Sequence, residues 1–478
     1  MSAHPERRTG DSPGLASKWW TLAVVGLGTF MAALDGSVVN VALPVIREAT
    51  RSSVSTVEWV ILVYLITVSS LLLVFGRLAD LFGKRFIYMA GQMVFMIGSF
   101  GCGRAGGIGS LIAARAFQAV GAAMMIALSP AILVAAFPGS ERGRALGMQA
   151  TLTYLGLSLG PALGGFLTQH FGWPSVFYVN IPIGLCALAA AHRALPPDRL
   201  RAGQPFDPAG ALALAVALAA LLFALSKGGD LGWSHPLIAG GAALAAGSFA
   251  LFVTIERRVA HPALDFGLFA NRTFSASVLA AGLCYLSTAS VSFLMPFYLL
   301  SAAGYAAARA GLVLMAMPLA MLLMTGPSGW LSDQIGARLP ATMGMGLMAA
   351  GIALLGALRL ENAAGQIVAG LALVGVGAGL FTSPNNSAIL GSVPVNRQGV
   401  AGAILGTART VGFAAGVAVS GLVYMAFLGA SDGTGTPEET ARAVRMGLRA
   451  TAAIALAGAV CSALRGPSRK TDSGAGSA

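Results

Sequence analysis

The chain has 478 residues, of which 56% are hydrophobic and only 10% charged. A soluble protein carries roughly 25% charged residues because its surface meets water, so most of this surface faces something apolar, and the lipid bilayer is the plain partner. The net charge of +12 does not point to nucleic acid: the basic residues form short clusters between apolar stretches, as at Lys84-Arg85, Arg257-Arg258 and Arg469-Lys470, with no basic face or aromatic RNA motif.

Apolar stretches long enough to cross about 30 Å of hydrocarbon recur along the chain. They fall near 19–43, 56–76, 86–104, 110–137, 145–168 and 175–194, then near 209–227 and 236–255. The rest lie near 274–301, 310–331, 340–359, 365–391, 400–428 and 444–464. Spans in lipid must satisfy their own backbone hydrogen bonds, so the expected fold is an all-α polytopic membrane protein of about fourteen helices. The first stretch is longer than a signal-peptide core, and Asp35 interrupts it without ending it, so it reads as a retained span. With the N-terminus in the cytoplasm, roughly nineteen basic residues fall on the cytoplasmic side against eight opposite, which predicts that both termini are cytoplasmic. The four cysteines lie far apart in apolar segments, so no metal, disulfide framework or cofactor is expected.

Asp35, in Leu34-Asp35-Gly36-Ser37-Val38-Val39-Asn40, lies well inside the first span, about 24 Å along the helix from Trp19. An ionisable group there marks an ion or proton pathway by default. Desolvation disfavours a charged carboxylate, which brings proton binding and release within reach. A packing role at a local kink is the plainer alternative. Arg115, an isolated cation in the fourth span, is expected to face the bundle interior beside Gln118 and to tune that site or bond backbone carbonyls of the first helix, or else to snorkel to the outer interface. Arg409 in the thirteenth span is a second such cation without a deep acid in its half, and a structural role and a substrate-anion role both stay open.

An internal repeat is legible. Gly76-Arg77-Leu78-Ala79-Asp80-Leu81-Phe82-Gly83-Lys84-Arg85 follows the second span, and Gly329-Trp330-Leu331-Ser332-Asp333-Gln334-Ile335-Gly336-Ala337-Arg338 follows the tenth. Repeated helix bundles build many secondary transporters. The chain therefore divides into an N-terminal tail (1–18), a six-helix bundle (19–195), a linker with two inserted helices (196–272), a second six-helix bundle (273–464) and a C-terminal tail (465–478). The paired motifs read as gates: their glycines permit a tight turn, and Asp80 and Asp333 can meet a basic residue or helix N-terminus in one conformational state. The fifth span carries a glycine ladder, Gly147, Gly156, Gly160-Pro161, Gly164 and Gly165, suited to close packing and bending. Within it Gly156-Leu157-Ser158-Leu159-Gly160 matches a hydrolase nucleophile elbow, but a membrane helix is the wrong context and the nearest histidine, His170, lies beyond the span. There is no phosphate-binding G-x-x-x-x-G-K-[ST] loop, so a gradient rather than ATP is the expected driving force, and no enzyme activity is expected.

These signatures together resemble the major facilitator superfamily, and most closely its fourteen-helix drug:proton antiporter family. The paired loops look like its motif A, Arg115, Gln118 and Gly121 like motif B, and Gly147 through Gly165 like the antiporter motif. Ala119, Ser37, Pro174-Ser175 and Leu300 depart from the family pattern. The resemblance implies proton-driven export of drugs or related amphipathic small molecules across a bacterial inner membrane by alternating access, with protons as the coupled ion and a periplasmic adaptor conceivable in a Gram-negative cell. The absence of further deep acids disfavours divalent cations and favours neutral, monocationic or anionic substrates. Expected contributors to the substrate cavity are Asn40, Trp59, Tyr64, Gln118, Gln149, Tyr154, Phe293, Phe297, Met317, Met321, Asn385, Asn386 and Arg409, since aromatic and methionine side chains suit promiscuous apolar contact. An exporter dedicated to a single metabolite or self-made antibiotic is the alternative, and a polytopic membrane enzyme or scaffold a remote one.

Overall fold

The computed structural model describes residues 15–138, 141–195, 208–232, 234–258, 266–359, 364–394, 398–428 and 435–465. All the long elements within them are helices. The first half holds α1 (Leu15–Thr50), α2 (Trp59–Phe82, entered through the turn Val54–Val57), α3 (Lys84–Gly103), α4 (Ile108–Ala136), α5 (Arg142–Phe171) and α6 (Asn180–Ala194, entered through Ser175–Tyr178). Two helices follow, α7 (Pro208–Leu231) and α8 (Pro236–Glu256). The second half holds α9 (Arg272–Phe297, continued by the π-helical turn Tyr298–Ala302), α10 (Ala307–Leu314 and Ala316–Ile335), α11 (Arg338–Leu355), α12 (Ala364–Gly391), α13 (Gln398–Leu428) and α14 (Pro437–Ala463). Among the described residues thirteen helices are long and apolar enough to span a bilayer, and α7 contributes the shorter apolar stretch Leu212–Leu221. The molecule is a multi-pass helical membrane protein.

The start of α14 and the ends of α2 and α10 differ from the sequence expectation for identifiable reasons. α14 starts at Pro437 rather than near 444, because Thr436 and Glu439 form a reciprocal capping box and Pro437 occupies the first turn. Its charged first turns mask this start from a hydropathy reading. The repeated motifs are less loop-like than expected. Gly76 to Asp80 stay within α2 and Gly329 to Asp333 within α10, so the turn is made by one glycine in each copy. Gly83 (φ 99°) closes α2 by donating to Ala79 O, and Gly336 (φ 82°) closes α10 by donating to Ser332 O. A positive φ at matched places in both halves is the repeat made visible in the backbone.

The ends of the bundle differ in how the halves meet. We call the end holding Leu15 and Arg465 the tail end, and the opposite one the far end. At the far end a single apolar core runs through both halves, including Val38, Leu43 and Val57 of the first and Phe293, Phe297 and Ala310 of the second. Toward the tail end each half keeps a core of its own: one is built around Val25, Tyr88, Phe95 and Met125, the other around Phe274, Ile389 and Ala401. Backbones touch across the far-end seam. A Cβ on Gly165 of α5 would sit 2.2 Å from Ala307 O, and one on Gly311 of α10 would sit 2.1 Å from Pro161 O. Gln169 Oε1 also accepts a hydrogen bond from Ala308 N at 3.0 Å, and the Arg47 guanidinium lies 5.9 Å from the Phe297 ring. By contrast Gly76, Gly147, Gly326, Gly402 and Gly406, toward the tail end of α2, α5, α10 and α13, have open space beside them. The halves are thus sealed at the far end and parted at the tail end. α7 packs against both α2 and α13, flanking the seam between the halves.

Candidate functional site

Asp35 is held at mid-length in α1, where the helix passes α4, α5 and α6. α1 can come so close to α5 because of the glycine ladder: Gly156 faces Phe30 O, Gly160 faces Ser37, and Gly164 faces the Val38 backbone, each with less than 3 Å left for a Cβ. Ser37 Oγ donates to Leu157 O at 2.8 Å across the same contact. The ladder therefore fixes α1, and with it the carboxylate.

The Asp35 side chain is fully buried. Arg115 Nη1 of α4 lies 2.6 Å from Asp35 Oδ2, and Gln118 Nε2 and Asn180 Nδ2 donate to Oδ1 at 2.9 and 2.7 Å. Arg115 is equally buried; its Nη1 also donates to Gln118 Oε1 at 2.6 Å, and its Nε donates to Val60 O of α2 at 3.1 Å. Gln118 Nε2 reaches Ser99 Oγ of α3 at 2.7 Å. Tyr64 of α2 stacks its ring 4.3 Å from the guanidinium carbon and closes the site on that side. Five helices thus converge on one ion pair. A buried charge pair is tolerable when its donors and acceptors find partners. Here both Asp35 oxygens accept hydrogen bonds and Arg115 Nε and Nη1 donate them, although Tyr64 Oη and Asn180 Oδ1 have no partner among the described residues.

The pairing of Asp35 with Arg115 was expected in outline; its details were not. Arg115 does not snorkel; it bonds the first helix through the Asp35 side chain, and the backbone carbonyl it grips is Val60 O of α2 rather than one of the first helix. Asn180 and Ser99 were missed. A lone amide in the apolar run Val179-Asn180-Ile181 was a signal available to a sequence reading, whereas Ser99 offers none, since serines in membrane helices mostly bond their own helix, as Ser99 also does to Phe95 O.

Several residues expected to line the substrate cavity sit elsewhere in this structure. Gln118 and Tyr64 belong to the ion-pair site. Trp59 stacks 6.0 Å from Phe223 of the inserted α7. Phe293 and Phe297 are fully buried, Phe293 against Phe297 and Phe297 against Tyr424, forming part of the far-end core. Aromatic rings there gain more from packing than from facing open space. Met317 and Met321 are buried, on the turns of α10 that cross Gly375 and Gly379 of α12. Asn385 is buried and accepts a hydrogen bond from Arg465, whose guanidinium is pushed down to about 10 by burial. Asn40, Gln149, Tyr154 and Asn386 are half-buried, and Arg409 is exposed. Of the gating residues, Arg85 donates to His192 O at 2.6 Å and Arg338 is exposed, whereas the side chains of Asp80 and Asp333 lie outside the described residues.

Away from these groups, a cavity of about 580 Å³ at the far end is lined by Arg359, Arg442, Arg445 and Arg449 with Ala357, Leu358 and Met446. Arg445 donates to Leu358 O and Arg449 to Gly356 O, so two of these cations complete the carbonyl end of α11, where the helix dipole favours positive charge. Among the described residues no group of acids, histidines and cysteines is placed to hold a metal.

The family model described as Major Facilitator Superfamily matches residues 25–281 and again 277–477, the two halves in turn. The riboflavin transporter RibZ of Clostridioides difficile is 35% identical over 405 residues, covering 84% of this chain and 88% of that protein. The multidrug resistance protein Stp of Mycobacterium tuberculosis is 32% identical over 412 residues, covering 86% of this chain and 76% of that protein. Among solved structures, a bacterial homolog of the human lysosomal transporter Spinster superposes with a TM-score of 0.69 at 15% identity, covering 95% of this chain and 98% of that one. Two repeated helical halves, a glycine-packed fifth helix and a buried Asp–Arg pair thus stand on a chain matched over nearly its whole length, and this chain belongs to the Major Facilitator Superfamily of membrane transporters.

Proposed function

We propose that the protein exports amphipathic small molecules across the cytoplasmic membrane in exchange for protons, by rocking its two halves about the cleft between them. The observation that carries the proton part is the Asp35–Arg115 pair, a carboxylate buried in the membrane region with one full countercharge. Both tails face the cytoplasm in this reading, as the excess of basic residues on that side supports. The parted tail end is then open inward, and the sealed far end faces outward.

In the inward-open state Asp35 is ionised, tied to Arg115 and closed off from water. That is the state that has released its proton and is ready to receive a compound from the cytoplasm or inner leaflet. Once the far end opens, a proton arriving at Asp35 neutralises it and leaves Arg115 a buried cation without its counter-ion. An uncompensated buried charge is strongly unfavourable. The helices bearing the pair must therefore shift, and this difference between states lets proton binding bias the equilibrium between them. The glycine seams of α5 with α1 and α10 are the surfaces on which such shifts occur, and the repeated turns at Gly83 and Gly336 act at the cytoplasmic ends. The bundles 19–195 and 273–464 serve as the rocking units, with α7 and α8 as an accessory pair. Any periplasmic adaptor would meet the far end.

Similarity to a multidrug resistance protein supports a broad substrate range; similarity to a riboflavin transporter supports the second reading, a transporter devoted to one compound. Expression in a drug-sensitive host, tested against a panel of chemically unrelated toxins with and without a protonophore, separates them. Protection against several classes, lost when the proton gradient collapses, is the expected result. Protection against one compound selects the second reading, and protection that survives the protonophore removes proton coupling.

A further inference from the structure

Arg409 sits in α13 about 17 Å along the helix from Gln398, inside the apolar span Ile404–Leu428. An unpaired cation there is expensive unless it faces a polar space. The side chain is exposed. Among the described residues no carboxylate or hydrogen-bond acceptor is paired with it, in contrast to Arg115, whose charge is fully matched. Three observations place it on the cleft rather than on lipid. Phe413, one turn further on the same face, stacks 5.9 Å from Tyr285 of α9. Beside it Gly412 crosses α9 so closely that a Cβ would sit 2.4 Å from Gly282 O, which fixes that face of α13 against the interior. Tyr285 of α9 and Tyr154 of α5, in the opposite half, both lie within electrostatic reach of the Arg409 charge. Toward the tail end from it, Gly406 and Gly402 leave open space.

A guanidinium with aromatic rings from both halves beside it, open space on one side and no counter-ion offers charge-assisted hydrogen bonds to a planar anion and ring faces for an aromatic body. A cationic compound would meet repulsion at the same place. We infer that the cleft takes aromatic organic anions, compounds bearing a carboxylate, sulfonate or ionised phenol, with Arg409 as the group that binds the negative charge and Tyr154 and Tyr285 flanking the ring system. This inference rests on the transport reading and narrows it to a substrate class. It also gives Arg409 a part in the cycle, because an anion bridging α13 and Tyr154 of α5 would draw the two halves together.

The test uses two dyes with the same ring system and opposite charge, carboxyfluorescein and rhodamine 6G. Binding to the purified full-length protein in nanodiscs is read by fluorescence anisotropy, and uptake by energised proteoliposomes is read in parallel. The expected result is tighter binding of carboxyfluorescein, weakened about tenfold or more by Arg409→Gln, with partial retention in Arg409→Lys and no weakening of rhodamine 6G. The thermal melt of each variant checks that it is folded. If carboxyfluorescein binds Arg409→Gln as well as the parent, or if rhodamine 6G is bound and transported while carboxyfluorescein is not, this inference is wrong and the transport reading stands. If neither dye is bound or moved by a folded protein, this inference falls, while the transport reading is decided separately by the toxin panel with and without a protonophore.

Discussion

Asp35 has three donors on its two oxygens, and Arg115 is held by Asp35, Gln118 and the Val60 carbonyl, so neither can change alone without leaving a partner stranded. Asp35→Asn is therefore expected to do two things at once: abolish proton coupling and cost about 3–5 kcal/mol of stability, because Arg115 is left as an uncompensated buried cation. Adding Arg115→Gln should recover much of the thermal stability without restoring coupling, and a double-mutant cycle of melting temperatures measures the interaction directly. Additive losses would show that the two side chains do not act as a pair. Asn385 poses a simpler case. It accepts from the buried Arg465, whose Nε and Nη1 have no hydrogen-bond partner among the described residues. Asn385→Ala should destabilise by about 1–3 kcal/mol, read as a lower melting temperature with transport per folded molecule little changed.

Glycines decide how the helices meet, and their roles divide by place. Gly83 and Gly336 each end a helix with positive φ, so Gly83→Ala should cost roughly 1–3 kcal/mol through backbone strain, whereas Gly147→Ala, with open space beside it, should cost little. A melting-temperature comparison of the two variants checks this. Gly165 belongs to the far-end seam, where a Cβ would lie 2.2 Å from Ala307 O. Gly165→Val is expected to hold the halves apart at the far end, which a cysteine-reactive probe on a far-end position such as Ala308 would report as faster labelling. Unchanged labelling would mean that this contact is not the seal. The number, order and approximate reach of the helices were legible from hydropathy, because lipid imposes a length on each span. The Asp35–Arg115 pair was legible too, since ionisable residues are rare within spans. What escaped was set by packing across the bundle. Phe293 and Phe297 carry the same residue type as a cavity lining, and only the crossing of α9 with the far-end core buries them. Asn180 joins the site from 145 residues away, a closeness that no local pattern announces.

At the scale of the molecule the arrangement is a sealed far end, a parted tail end and one neutralised charge pair buried within the first half. A protonatable lock of this kind predicts that transport and proton movement are one event and that both depend on Asp35. The measurement that bears on this most directly is proton movement driven by substrate in sealed proteoliposomes carrying a trapped pH dye, with the parent protein and Asp35→Asn compared at equal amounts of folded protein. The account predicts that adding an exported compound moves protons with the parent, and that Asp35→Asn still binds the compound but moves none. Undiminished substrate-driven proton movement by Asp35→Asn would contradict it.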